Sequence, residues 1–193
     1  LFGHSWRAVF AALYLRKYPE NVEQAVMAEP FGLTSDIQQQ AEVPMNLVSE
    51  GYLDMAFASG IMTPEDHQSL DYRMLAMLHS GVRDFFCDVD NLPEWPVWRV
   101  GGLALLTWEG SIIDGGVWSY DFSYRLHDFP RNVLLIGSSC SPIGYSFQKE
   151  YNAPLFREAE TAEITNSGHR IVTEQFDQLV KAMKGYLSQY GGP

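Results

Sequence analysis

The opening residues Leu1-Phe2-Gly3-His4-Ser5-Trp6-Arg7 restrict the fold more than any other stretch of the chain. They read as the end of a buried strand, a sharp turn that carries a serine, and the first turn of a helix. A Gly-x-Ser-x-Gly elbow needs small residues two before and two after the serine, because the turn strains the serine backbone and brings strand and helix almost into contact. Gly3 meets the first requirement and Arg7 breaks the second. Ser5 is thus a candidate nucleophile in an elbow with one defect. It also stands at the start of the sequence, where such an elbow belongs in mid-domain.

The residues that follow set the fold class. Trp6 to Tyr18 mixes Ala8, Ala11 and Ala12 with Phe10, Leu13 and Leu15, which suits a helix pressed against a sheet, and Pro19 ends it. Val22 to Ala28 (VEQAVMA) reads as a strand closed by Glu29-Pro30. Strand, elbow, helix and strand make the unit of a mostly parallel α/β sheet. From Gly32 to about Pro130 the alternation stops, and Met, Trp, Tyr and Phe concentrate. A short helix is expected over 49–59. A second starts at Thr63, with Pro64 at its first helical position, and runs to about Gly81. Asn91 to Trp118 reads as loops and irregular packing.

Regular texture returns with the strand Val133 to Gly137 (VLLIG), a helix over Ile143 to Tyr151, a strand over Ala159 to Thr165 and the turn Asn166-Ser167-Gly168. In the last helix Val172, Phe176, Leu179, Val180, Met183 and Leu187 recur at helical spacing, with Thr173 as its cap. The expected organisation is an α/β core of residues 1–36 and 131–193, incomplete at its N-terminus, with 37–130 inserted into it.

Charge narrows the function. Thirteen Lys and Arg against 24 Asp and Glu give a net charge of -11, with no basic run to track a phosphate backbone, so nucleic acid is not an expected partner. No apolar run reaches the roughly 18 residues that span a bilayer. No His-Glu-x-x-His, paired-cysteine or Gly-rich phosphate motif occurs, so no metal or cofactor is implied. Cys87 and Cys140 are far apart, in neither a metal-ligand nor a redox spacing, and decide no compartment.

Of the five histidines, His169 is the one that a strand end aims at the edge carrying Ser5. A base has to lie within hydrogen-bond reach of the serine hydroxyl, and a loop at that edge is the right place for it. His67 and His79 fall on an expected helix and His127 in a polar connection. His4 is turned away from the nucleophile by the elbow and is a candidate pocket wall. Serine first and histidine last is the order that acyl-transfer enzymes on an α/β sheet use.

This order resembles the α/β-hydrolase fold superfamily, and GHSWRAVFAALYLRKYP followed by VEQAVMAEP is most similar to its proline-iminopeptidase-like members. The resemblance implies a serine hydrolase that cleaves an ester or amide of a small substrate or short peptide through an acyl-serine, with 37–130 as a largely helical cap. It places the catalytic acid either after VLLIG or after the strand that follows the nucleophile helix. The first place holds Ser138-Ser139-Cys140-Ser141-Pro142, without a carboxylate, and the second holds Glu29. Glu29 is the preferred acid; a cap for its own turn and a ligand for a substrate ammonium are its other readings. The N-H of Trp6 is the implied first oxyanion donor, and the second belongs to a loop earlier than Leu1. Such a chain is expected to associate with an N-terminal portion or with a second copy. Trp95, Trp98, Trp108, Met74 and Met77 pack the insertion or line an apolar pocket, and Glu109, Asp114 and Asp121 are undirected acids. The rival to an enzyme is a catalytically impaired binding or interaction protein on the same fold, which Arg7 and the acid-free turn at Ser139-Cys140 favour.

Overall fold

The computed structural model describes residues 1–41, 71, 85–88, 90, 113–114 and 117–190. In chain order the elements are strand β1 (Phe2–His4), helix α1 (Trp6–Lys17), strand β2 (Ala25–Ala28), helix α2 (Ser35–Gln38), strands β3 (Ile113–Asp114), β4 (Val117–Trp118) and β5 (Val133–Ser138), helix α3 (Tyr145–Phe147), strand β6 (Ala159–Ile164), and helices α4 (Ile171–Glu174) and α5 (Phe176–Tyr190). The helix expected over 49–59 lies outside the described residues. So does the helix from Thr63 to Gly81 except Asp71, which is helical, and so do His67, His79, Met74, Met77, Trp95, Trp98, Trp108 and Glu109.

The chain divides into two compact units: Leu1–Val43 with Asp84–Leu92 and Tyr120–Pro193, and Pro44–Arg83 with Pro93–Ser119. In the second unit β3 and β4 pair antiparallel, Ile113 opposite Trp118, within a stretch read from sequence as irregular. In the first, a four-stranded sheet has the order β1-β2-β5-β6. Every pairing in it is parallel, with Val26 beside Phe2 and Leu134, and Leu134 beside Glu160. Strands in chain order and all parallel are what strand-helix alternation at the two ends of the sequence requires. β5 is buried at all six positions, as VLLIG implies for a strand covered on both faces.

On one face Val26, Ala28, Leu134, Ile136 and Ile164 pack with Ile171, Leu179 and Tyr186. Strand alternation turns Ala25, Met27, Val133 and Leu135 the other way, and these are buried as well. α1 packs against β1 and β2 through Ala8, Ala11 and Ala12, whose small side chains allow a close approach. The approach is closest at Gly3, where a Cβ would lie 2.3 Å from the Arg7 carbonyl oxygen. Among the described residues no helix is long and apolar enough to cross a membrane.

Two expectations need correction, and one contact was not anticipated. The helix over Ile143 to Tyr151 is α3 followed by a π turn, Gln148–Asn152, and a 3-10 turn, Ala153–Leu155. The wider turn directs the buried Gln148 and Asn152 amides onto the carbonyls of Pro30 and Phe31. The last helix is two helices that break at Gln175. Thr173 lies inside α4, where its hydroxyl donates to the Arg170 carbonyl, and so caps nothing. Of the apolar stripe, Leu179 is buried, with Ile171 and Tyr186 beside it, while Val172, Phe176 and Leu187 are exposed. Finally, Cys87 and Cys140 form a disulfide across 53 residues of sequence. Sequence spacing carried no sign of this pairing, because only the fold brings the two residues together.

Candidate active site

Parallel pairing brings the C-terminal ends of β1, β2, β5 and β6 to one edge of the sheet, and each end delivers a polar side chain. β1 leads into Ser5, which has φ 57° and whose N-H donates to the Ala28 carbonyl at 2.8 Å. A positive φ is uncommon for a residue with a Cβ, and the strain is held here by Gly3 pressed on the first turn of α1. Arg7 fits this turn because its backbone makes the contact with Gly3 while its side chain is exposed. The outward-leaning arrangement removes the apparent defect of the elbow. Trp6 is the first residue of α1, at the end of the helix that favours negative charge, and its ring lies 4.9 Å from that of Phe31.

β2 leads into Glu29, which is fully buried and also has a positive φ, 44°. Burying a carboxylate is unfavourable unless its oxygens are paired. Oε2 faces His169 Nδ1 at 2.6 Å, and Oε1 accepts from the Ser138 N-H at 2.7 Å and from the Ser138 hydroxyl at 2.5 Å. Both oxygens are occupied inside the protein, which removes the surface a substrate ammonium would need and the carboxylate a turn cap would use. The loop after Glu29 is pinned in turn. Gln148 donates to the Pro30 carbonyl at 2.7 Å, Asn152 accepts from the Leu33 N-H at 3.2 Å, and the Tyr120 hydroxyl donates to the Gly32 carbonyl at 2.8 Å.

β6 leads through Asn166, Ser167 and Gly168 to His169. Its Nε2 lies 2.9 Å from Ser5 Oγ, so that the ring bridges the serine to Glu29. With Nδ1-H donating to the carboxylate, Nε2 is left as an acceptor for the serine hydroxyl, which is the tautomer a general base requires. The structure therefore brings Ser5, His169 and Glu29 into one hydrogen-bonded line.

His4 packs against His169. Its Nε2-H donates to the His169 carbonyl at 2.7 Å, and the two rings are 5.0 Å apart. Burial, reinforced by the neighbouring His169, lowers its pKa from 6.5 to about 4, so His4 is neutral at physiological pH. His127 is exposed, and Asp121 is a turn residue that accepts from the Ser123 N-H and hydroxyl. Potential ligand atoms of His4, Glu29 and His169 lie within 4.8 Å of one another, but a cation between them would have to break the bonds that hold Glu29 and His169.

Sequence reasoning missed Ser138, the second structural partner of Glu29, although it stands where a carboxylate was sought. It also missed Glu174, and the segment Phe85 to Cys87, which approaches the His169 turn from elsewhere in the chain. The two cysteines, the only ones in the chain, were the one available sign of that approach.

No family model matches this sequence, and no curated protein matches it. Solved structures do. A bacterial membrane phospholipase A described as a virulence factor superimposes with TM-score 0.65 at 13% identity, over 100% of this chain and 57% of its own. A proline iminopeptidase from Mycobacterium smegmatis matches with TM-score 0.54 at 15% identity, over 98% of this chain and 64% of its own. A carboxylesterase study of the thaumarchaeon Nitrososphaera gargenis provides another, with TM-score 0.58 at 14% identity, over 98% and 64%. These similarities establish the fold as part of an α/β-hydrolase fold, and the chain spans about three-fifths of the length of these relatives.

Proposed function

We propose that this chain carries the nucleophile, base and acid of a serine hydrolase that cleaves an ester or amide bond of a small substrate. The observation that carries the proposal is the line from Ser5 Oγ to His169 Nε2 at 2.9 Å and from His169 Nδ1 to Glu29 Oε2 at 2.6 Å. In this mechanism the Ser5 hydroxyl gives its proton to His169 Nε2 as Oγ bonds to the substrate carbonyl carbon. The oxyanion that forms faces the N-H of Trp6 at the start of α1. Collapse expels the alcohol or amine, which takes the proton from His169, and water activated by the same ring releases the acid from the acyl-serine. Glu29 holds the ring in the required tautomer and balances the imidazolium charge in each half of the reaction.

In this reading residues 37–130, which lie in the chain between β2 and β5, are the cap insertion. Within the hydrolase reading, an aminopeptidase-like specificity has the iminopeptidase among the structural relatives as its support, and an esterase specificity has the carboxylesterase.

The test is labelling of the intact protein by a fluorophosphonate, which reacts with an activated serine whatever the substrate. Labelling that disappears in Ser5→Ala is the expected result. No labelling of the folded wild type would instead favour a non-catalytic binding protein. Rates on proline arylamides against short acyl esters then separate peptidase from esterase.

A further inference from the structure

We infer that Glu174 is a positioning residue for His169, acting through a strap, residues 85–87, that crosses the histidine turn. The inference rests on the hydrolase reading for its consequence in catalysis but on backbone geometry for its substance. One oxygen of Glu174, Oε2, accepts from the Gly168 N-H at 2.8 Å, and the other, Oε1, accepts from the Cys87 N-H at 2.9 Å. One carboxylate therefore ties the residue before His169 to a segment about eighty positions earlier in the chain.

The strap touches the turn on both sides of the histidine. The Arg170 N-H donates to the Phe85 carbonyl at 3.2 Å. On the other side the backbones are so close that a Cβ on Gly168 would lie 2.4 Å from the same Phe85 oxygen. The Phe85 ring is 5.5 Å from the His169 ring. Beyond Cys87 the strap is joined by the disulfide to Cys140, whose own N-H donates to the Ser167 carbonyl at 3.0 Å. Ser167, Gly168 and Arg170 are thus each tied to the strap or to its disulfide partner.

Nothing in α4 itself favours a carboxylate at its last residue, since the C-terminal end of a helix attracts positive charge. What Glu174 gains there is two backbone donors, which charge-assisted bonds hold in a defined geometry. A base displaced by a fraction of an ångström loses its alignment with both the serine and the acid, and catalysis is sensitive to shifts of that size.

The experiment compares wild type with Glu174→Gln, which keeps the shape but turns one acceptor into a donor facing an N-H. With a short acyl ester, kcat should fall about tenfold while KM stays within about twofold, since the substrate does not touch Glu174. The far-downfield proton resonance of the His169–Glu29 hydrogen bond should broaden or move in the same variant, with no substrate present. A folded variant with unchanged kcat and an unmoved resonance overturns the inference. If the wild type takes no fluorophosphonate label, the hydrolase reading has failed by itself, and the resonance alone decides: moved, it supports the positioning role; unmoved, it overturns it.

If Glu174→Gln does not fold, the wild-type protein supplies the test. A small dithiol reduces the Cys87–Cys140 bond, each sulfur taking one electron and one proton while the dithiol closes to its own disulfide. Releasing the far end of the strap should move the same resonance. A resonance indifferent to complete reduction overturns the inference.

Discussion

Two sides of the candidate site are built in different ways. Glu29 is held by its neighbours in the sheet: it directly follows β2, its N-H donates to the Ile136 carbonyl of β5, and Ser138 at the end of that same strand binds its carboxylate. His169 sits on a turn beyond β6 and is held by nearby Glu174 and by groups from distant parts of the chain, namely His4, Phe85 and the disulfide. Glu29 is fixed by parallel pairing, the most local consequence of the fold. His169 is fixed by a set of separable ties. Changes on the acid side should therefore act on chemistry directly, whereas those on the base side should be graded and open to solution conditions.

The sharpest way to break this contrast is Glu29→Gln. The amide cannot balance an imidazolium and can present an N-H₂ to Nδ1, favouring the wrong tautomer. A fall in kcat on the order of 10³ to 10⁴ is expected, equivalent to roughly 4–5 kcal/mol of transition-state stabilisation. The measurement is steady-state hydrolysis of an activated ester by the folded variant. A fall of less than tenfold would remove Glu29 from the role of acid.

On the base side, His4 offers a prediction in pH. Its folded pKa is about 4 against 6.5 when unfolded, so between those values the unfolded chain takes up a proton that the folded one refuses. Stability from this group is complete above about pH 6.5 and is lost as pH falls toward 4, by at most roughly 3 kcal/mol. Urea unfolding of wild type and His4→Gln across that window should show a steeper acid loss in the wild type. Parallel curves would mean that burial in the folded protein does not hold the His4 ring neutral.

Ser138→Ala returns to the acid side with a smaller change. It deletes the hydroxyl donor to Glu29 and leaves the Ser138 N-H in place. The buried carboxylate loses one of its partners, which should destabilise the protein by about 2 kcal/mol. A urea midpoint equal to that of wild type would show that the backbone bond suffices.

The contrast between the two sides also explains what was legible in the sequence. Glu29 was reached through the family resemblance, whereas VLLIG, the Ala-rich α1 and the strand-end positions of Ser5 and His169 follow from periodicity and strand-helix alternation, which are local signals. They were enough for the parallel α/β class. The bond between Ser138 and Glu29 was not legible, because a serine after a strand has no pattern until the neighbouring strand is in register with it. Nor was the break at Gln175, since an apolar stripe at helical spacing continues on paper through a bend that only tertiary packing creates. The strap was the least legible of all: Phe85, Cys87 and Glu174 meet through backbone N-H groups and a disulfide, neither of which leaves a spacing in the sequence.

The smallest effect belongs to the third corner, the elbow that carries Ser5. By the Gly-x-Ser-x-Gly pattern Arg7 is the one defect of the elbow, tolerated at some cost in stability, and a glycine there would complete the motif. The structure leads to the opposite expectation. The close contact runs from Gly3 to the Arg7 carbonyl, and the Arg7 side chain is exposed, so shortening it relieves no crowding. A glycine inside the first turn of α1 would instead add backbone freedom to the unfolded chain and weaken the helix. Arg7→Gly should therefore lower stability by up to about 1 kcal/mol, and Arg7→Ala should leave it within about 0.5 kcal/mol. Neither variant should raise kcat. Urea midpoints and ester hydrolysis of both check this, and a gain in either quantity for Arg7→Gly would show that the side chain does strain the turn holding Ser5.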